Sequence, residues 1–254
     1  MPRLSVAIFA AIVFAQSALA EWLVVSAKSQ PAATRDLEHR HIALRNADEQ
    51  ATIDLALCSP GRATLRMIDN ASGSEDLAEA MVRGKCAAGV NGGYFDPNFK
   101  PIGLRVIDGA VTSPQTRARL LTGVLCASSR GIAILRLAEF SRRRKCDAAI
   151  ECGPFLVDGG TRISSLDDRR SARRTFAAVS QEGKTALGVS SELTLAQLGA
   201  VLANRSLTKD FKISRAMNLD GGSSSAFWFR NSDGTVFSIS EDKNVRDFVG
   251  IVPK

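Results

Sequence analysis

Ala216-Met217-Asn218-Leu219-Asp220-Gly221-Gly222-Ser223-Ser224-Ser225 is the stretch on which the reading of this chain turns. An apolar run ends in an acid, two glycines and three hydroxyls, and Phe227, Trp228 and Phe229 follow. The pattern predicts a buried strand that stops at Asp220 and turns sharply, because glycine lets the backbone bend and lets another group approach it closely. A carboxylate at such a turn is well placed for chemistry. Gly89-Val90-Asn91-Gly92-Gly93-Tyr94-Phe95-Asp96 has the same character, running from apolar residues into an Asn, two glycines and aromatics. Asn-Gly and Asp-Gly also mark ordinary hairpin turns. Two stretches that each set a polar side chain before Gly-Gly weaken that plainer reading.

Outward from these turns the chain reads mostly as strands. Alternation and turn residues predict strands at 52–58 and 63–68 around Ser59-Pro60-Gly61, and at 86–90 leading into Asn91. Hairpins are predicted around Asp108-Gly109, around Arg130-Gly131 and across 181–184. Gly153-Pro154 divides 148–157 into a short element and a strand, and 159–174 reads as a long polar surface loop. Strands are also expected at 216–219, 235–239 and 248–252, with Asn231-Ser232-Asp233-Gly234 turning between strands. Two segments have helical spacing. In 75–83, Leu77, Ala78 and Met81 share a face, with Ser74 as a cap and Gly84 as the stop. In 194–202, Leu195, Leu198, Val201 and Leu202 share a face, with Thr194 or Ser191 as the cap. Strands outnumber helices and most neighbours join through tight turns. The expected fold class is therefore α+β: a single domain with a mostly antiparallel or mixed β-sheet core and a few helices.

The N-terminus reads as an export signal. Arg3 is followed by an apolar run over 4–14 and by the small-residue site Ala18-Leu19-Ala20, so residues 1–20 form the expected signal peptide and Glu21 the new N-terminus. The run is shorter than the ~20 residues a membrane span needs. Residues 21–49 are mixed and polar, with weak strand character at 22–25, and form an N-terminal segment; 50–254 form the domain. The expected location is the periplasm or the exterior, with no stable membrane insertion after cleavage.

The net charge of +7 concentrates in Arg142-Arg143-Arg144-Lys145 and in Arg169, Arg170, Arg173 and Arg174. A basic surface favours anionic partners. No nucleic acid is expected, because the chain is read as exported and no aromatics interleave with these clusters. Phosphate-bearing sugars or anionic glycans suit the compartment. Cys58, Cys86, Cys126, Cys146 and Cys152 are odd in number, so at least one thiol stays unpaired within the chain; Cys146 with either Cys126 or Cys152 is a reasonable disulfide. His39 and His41 are the two histidines, both in the polar N-terminal stretch, which argues against zinc chemistry and against a Ser-His-Asp triad.

Four motifs in order carry a family resemblance: Asn91-Gly92-Gly93-Tyr94-Phe95, Gly153-Pro154-Phe155-Leu156-Val157, Arg174-Thr175, and Asn218-Leu219-Asp220-Gly221-Gly222-Ser223-Ser224. Together they make residues 50–252 similar to the phosphodiester glycosidase domain. The resemblance implies a hydrolase that cleaves a sugar-1-phosphodiester; a non-catalytic module that binds anionic polysaccharide with the same cleft stands as the alternative. Such cleavage needs donors for an anionic phosphate and a carboxylate near the anomeric carbon, where positive charge develops. Asp220 is the expected carboxylate, Arg174 the phosphate clamp, and Asn91 the residue that binds a sugar hydroxyl or orients Asp220. Gly92, Gly93, Gly221 and Gly222 offer backbone N–H groups, and Thr175, Ser223 and Ser224 complete the expected binding set. Asp96 and Glu151 are secondary acids; the family often carries Gln at the position of Glu151 and Pro at that of Arg173. Tyr94, the single tyrosine, either stacks on a sugar or packs in the core. No cofactor is required, but a divalent cation is possible through oxygen ligands from Asp220, Asn91 and carbonyls.

Overall fold

The computed structural model describes residues 21–254 apart from 142, 205, 206, 208 and 209. The expected signal segment, 1–20, lies outside the described residues. Within them the chain forms three sheets. With strands numbered in chain order, the eight-stranded sheet runs β1 (Leu23–Pro31), β2 (Leu37–Asn46), β3 (Glu49–Cys58), β14 (Thr185–Leu193), β13 (Ala172–Ser180), β15 (Ile213–Asn218), β11 (Phe155–Asp158) and β12 (Thr161–Arg162). A five-stranded sheet runs β7 (Ala110–Ser113), β6 (Arg105–Ile107), β10 (Ala148–Cys152), β8 (Gly123–Ser128) and β9 (Gly131–Arg136). The other runs β17 (Val236–Ile239), β16 (Phe227–Arg230), β5 (Ala88–Asn91), β18 (Asp247–Pro253) and β4 (Ala63–Asp69). Every strand pair is antiparallel. The mixed-sheet option is thus excluded among the described residues. The α+β label fits loosely, because among the described residues only α1 (Leu77–Arg83) and α2 (Leu195–Ala203) are α-helical.

The eight-stranded sheet is the middle layer, and alternate residues along its strands show why its apolar runs are nearly continuous. Ile53, Leu55 and Leu57 of β3 pack with Phe176 and Ala178 of β13 against Leu198, Val201 and Leu202 of α2. Their neighbours Ala56 and Cys58, with Ala177 and Val179, join the opposite core. That core also holds Val90 and Val249 of one five-stranded sheet and Leu125 and Ile150 of the other. A strand covered on both faces reads as a near-continuous apolar run, and a polar side chain within it, such as Asp54 or Thr175, is buried on a hydrogen-bond partner. α1 covers the outer face of the sheet that contains β5, with Leu77 and Met81 against Trp228 and Phe248.

Both helices start on reciprocal caps. Asp76, rather than Ser74, caps α1: its Oδ1 accepts from Glu79 N–H at 2.8 Å, and Glu79 Oε2 accepts from Asp76 N–H at 3.1 Å. Thr194 and Gln197 do the same for α2. Residues 21–49, set apart in the sequence reading, supply β1 and β2, and β2 pairs with β3 along ten residue pairs. The expected disulfides are not formed: all five cysteines are free thiols and buried. Burial pushes Cys58 and Cys86 up to about 11 and Cys126, beside Cys146, up to about 12. No helix among the described residues is long and apolar enough to cross a membrane.

Candidate active site

The site assembles where β5 and β15 end and β13 begins. β13 pairs with β15, placing Phe176 opposite Asn218, and the next backbone link runs from Leu219 N–H to Thr175 C=O at 2.8 Å. β5 lies in a different sheet, and Asn91 at its end bridges the gap. Asn91 Nδ2 donates to the Asp220 carbonyl at 2.8 Å. Its Oδ1 accepts from Thr175 Oγ1 at 2.6 Å and from Ala226 N–H at 3.1 Å. Asp220 N–H donates to Gly92 C=O at 3.1 Å, closing the contact. Asn91, Arg174 and Asp220 are therefore neighbours. A methyl built on Gly221 would stand 3.7 Å from Arg174 Cδ, which shows how closely the Asp220 turn passes the arginine.

Asp220 is half-buried. Its Oδ2 accepts from Ser224 Oγ at 2.6 Å and its Oδ1 from Gly221 N–H at 3.0 Å. Burial raises its pKa above the ordinary aspartate value, and the Ser224 hydroxyl, Lys243 and the Gly221 N–H pull it partly back. Arg174 is also half-buried. Its Nε donates to Leu193 C=O at 2.9 Å and one Nη to Arg170 C=O, while its other Nη has no partner among the described residues. No carboxylate forms an ion pair with it there. Asp167 pairs with Arg169 at 2.8 Å, and Asp168 accepts from Thr194 Oγ1 at 2.6 Å. Burial lowers the Arg174 pKa, and the nearby Tyr94 and Asp167 pull it only partly back. A guanidinium held by two carbonyls and left without an anion is a ready phosphate site.

Tyr94 is hydrogen-bonded beside these residues, through Asn218 at the end of β15. Its hydroxyl donates to Gly153 C=O at 2.6 Å and accepts from Asn218 Nδ2 at 3.1 Å. It feels the charges of both Asp220 and Arg174, and burial raises its pKa well above the ordinary phenol value, so it is a neutral hydroxyl at neutral pH. Tyr94 thus packs against the main core, with its hydroxyl fixed by hydrogen bonds.

Several expected ligand-binding groups are engaged by the protein itself. Gly92 N–H donates to Asp247 C=O at 2.8 Å, and Gly93 N–H to Asp247 Oδ1 at 2.9 Å. Gly221 N–H serves Asp220, and the Thr175 hydroxyl serves Asn91. The Asn91 Oδ1 accepts two hydrogen bonds and its Nδ2 spends one of its two N–H groups on the Asp220 carbonyl, so the side chain orients the Asp220 turn. Gly92 and Gly93 are needed for close packing: a methyl on Gly92 would stand 1.9 Å from Asp247 Oδ1, and one on Gly93 2.2 Å from an Arg105 Nη. Gly222, at φ +65, has open space where a side chain would be, and Ser223 is exposed; these two remain turned to solvent. Ser224 is buried against Asp220.

Glu151 and Asp96 have other work. Glu151 is buried, and its Oε2 accepts from the N–H groups of Leu104 at 2.8 Å and Thr116 at 3.0 Å. Asp96 Oδ1 accepts from the N–H groups of Asn98 and Lys100 within its own turn. Arg105, Asp247 and Lys243 escaped sequence reasoning. Arg105 Nε and Asp247 Oδ2 pair at 2.7 Å with both side chains buried, and Arg105 also donates to Tyr94 C=O at 3.1 Å. The pair braces the Gly92-Gly93-Tyr94 turn from behind. Its signal was a charged residue at the start of each of two apolar strands. Among the described residues no group of three His, Cys, Asp or Glu side chains is arranged to hold a metal ion.

Comparison with known proteins gives this geometry a lineage. The fold is similar to that of the zebrafish N-acetylglucosamine-1-phosphodiester alpha-N-acetylglucosaminidase catalytic domain auto-inhibited by its pro-peptide, with TM-score 0.67 and 16% identity over 91% of this chain and 89% of that one. A hypothetical protein from Synechocystis is similar at TM-score 0.60 and 14% identity, over 86% of this chain and 62% of that one. No curated protein matches the chain. The family model for phosphodiester glycosidase matches residues 84–252, which include all four motifs around the site. That match spans well over half of the sequence, and the chain belongs to the phosphodiester glycosidase family of hydrolases.

Proposed function

We propose that the protein is an exported enzyme that cleaves the bond between a sugar's anomeric carbon and the phosphate of a sugar-1-phosphodiester in an envelope or extracellular glycan. The observation that supports this most directly is the half-buried Arg174, free of any carboxylate partner, beside the Asp220 turn. In this reading Arg174 takes the phosphate oxygens through its free Nη and holds the anomeric carbon toward Asp220. The C1–O bond breaks, the phosphate monoester leaves with the bonding pair, and positive charge develops on the sugar. Ionised Asp220 stabilises that charge and either activates the incoming water or attacks the carbon itself. A phosphate monoester is a good leaving group, so the absence of histidine near the turn is no obstacle. Arg174 also meets the phosphate charge, and chelation is expected to leave turnover unchanged.

Incubation of the mature protein with a panel of sugar-1-phosphodiesters in ¹⁸O-labelled water tests the reading. Free sugar should appear with the label on the sugar and a phosphate monoester as co-product. Label on the phosphate would mean P–O cleavage and a different reaction; no release from any member of the panel would overturn the proposal. Sequencing of protein exported by its native host should begin at Glu21, and a chain still starting at Met1 would refute export by signal cleavage.

A further inference from the structure

We propose that the cavity beside the Gly153-Pro154 turn is a subsite for the leaving-group side of the substrate, shaped for a sugar that carries a second phosphate. This rests on the proposed cleavage of sugar phosphodiesters and specifies what lies beyond the scissile phosphate. The cavity has a volume of about 470 Å³, enough for a hexose with a substituent. Pro154, Phe155, Ile163 and Leu166 form an apolar wall, and Arg119, Arg136 and Arg169 stand around it.

Three features join this cavity to the site and define its occupant. First, it is built from chain segments that also hold the site residues. Gly153 C=O, next to cavity residue Pro154, accepts the Tyr94 hydroxyl, and the loop that supplies Asp167 and Arg169 to the cavity also supplies the Arg170 carbonyl that holds Arg174. Arg174 is thus tied to the cavity through the Arg170 carbonyl and lies near the Asp220 turn at Gly221. Second, its lining carries three arginines against a single carboxylate, Asp167. Arg169 pairs with Asp167, and Arg136 pairs with Asp158 while lying 4.4 Å over the Phe155 ring. Arg119 is exposed and has no carboxylate partner among the described residues. It is the cation left over for a ligand anion. Third, the apolar wall beside polar Thr122 and Ser165 suits a pyranose, which has C–H faces and hydroxyl edges. A plain alkyl chain or an uncharged alcohol would leave Arg119 without an anion. A repeating sugar-phosphate chain satisfies both the wall and the cation.

The test compares two substrates with the same scissile bond: a sugar-1-phosphate methyl diester and a sugar-1-phosphodiester whose alcohol is a hexose phosphate. Wild type should prefer the second in kcat/KM by about tenfold or more, the range of one charge-assisted contact. Arg119→Ala should remove most of that preference through KM while leaving the methyl diester unchanged. Arg117→Ala, the neighbouring exposed arginine outside the cavity, should change neither. Equal use of both substrates by wild type, or an Arg119→Ala loss shared equally by both, would overturn the subsite. Preference for a decyl phosphodiester over the hexose phosphate would overturn its occupant. If neither substrate turns over, cleavage itself fails, and calorimetric binding of the hexose-phosphate diester still decides: weakening on Arg119→Ala supports the subsite, and unchanged binding overturns it.

Discussion

Asp220 and Arg174 should fail in different ways when altered, because one acts on carbon and the other holds phosphate. Asp220→Asn keeps the shape and loses the charge, and turnover should fall by about a hundredfold or more, the range for a positioned acid–base group. The pH profile adds a signed test. Burial raises the Asp220 pKa, so activity that needs the carboxylate should be present above that pKa and fall off at a higher pH than the ordinary aspartate value of about 3.9. The Ser224 hydroxyl lowers it, so Ser224→Ala should move the acidic limb of kcat/KM to still higher pH. An unmoved limb would take Asp220 out of the titration. Arg174→Lys keeps a charge but loses the planar fork, and should raise KM for phosphodiesters more than it lowers kcat. Both residues were legible in the sequence because each sits at a strand end in a short motif. What their neighbours do was not. The same Asn-Gly-Gly that suggested sugar contacts is engaged by Asp220, Thr175 and Asp247, and a hydrogen-bond inventory becomes visible only when the partners are adjacent in space.

At the level of elements, the turn after β5 depends on a charge pair buried behind it. Arg105 in β6 and Asp247 in β18 come from different sheets, with side-chain exposures of 1% and 2%. Removing one partner from such a pair costs about 3–5 kcal/mol, since the other is left charged and uncompensated. Asp247→Asn should therefore lower stability to urea by about that amount, although the amide can still accept from Gly93 N–H. It should lower kcat as well, because Arg105 and Asp247 both hold the Gly93-Tyr94 backbone. A variant with wild-type unfolding would show that the pair is not worth its burial. Helix and strand positions were largely readable from periodicity and turn chemistry, since Thr194, Gly84 and Gly153-Pro154 each act locally. The cap at Asp76 was placed two residues too early because Ser74 and Asp76 both fit the start of α1. β1 and β2 were weaker in sequence because β1 is an edge strand with mostly exposed residues and lacks a strict apolar alternation.

Across the whole molecule, the three sheets share one core, and the N-terminal strands are part of it. Leu37 of β2 packs in the cluster that holds Val90, Ile150, Phe155 and Phe227 from all three sheets. His39 locks the same junction: its Nε2 bonds Asp54 Oδ1 at 2.7 Å, and its ring lies 4.4 Å from Phe237 and 5.4 Å from Phe227 of the facing sheet. The two tryptophans lie in different apolar clusters and can report on it separately. Trp22, just before β1, is buried with Ile42 and Ile53 beside α2, and its carbonyl accepts from Asn204 Nδ2 at 3.1 Å. Trp228 in β16 is buried under α1. Single-tryptophan variants Trp22→Phe and Trp228→Phe, each followed by fluorescence in urea and corrected against circular dichroism of the same variant, should unfold in one transition seen alike by both probes. If residues 21–49 were instead an appendage on a self-sufficient 50–254 domain, the Trp22 signal would be lost at lower urea than the Trp228 signal. Coincidence is expected because separating β2 from β3 would uncover Ile53, Leu55 and His39 together, and a sheet that loses ten backbone pairings and an inter-sheet contact at once has no stable halfway state.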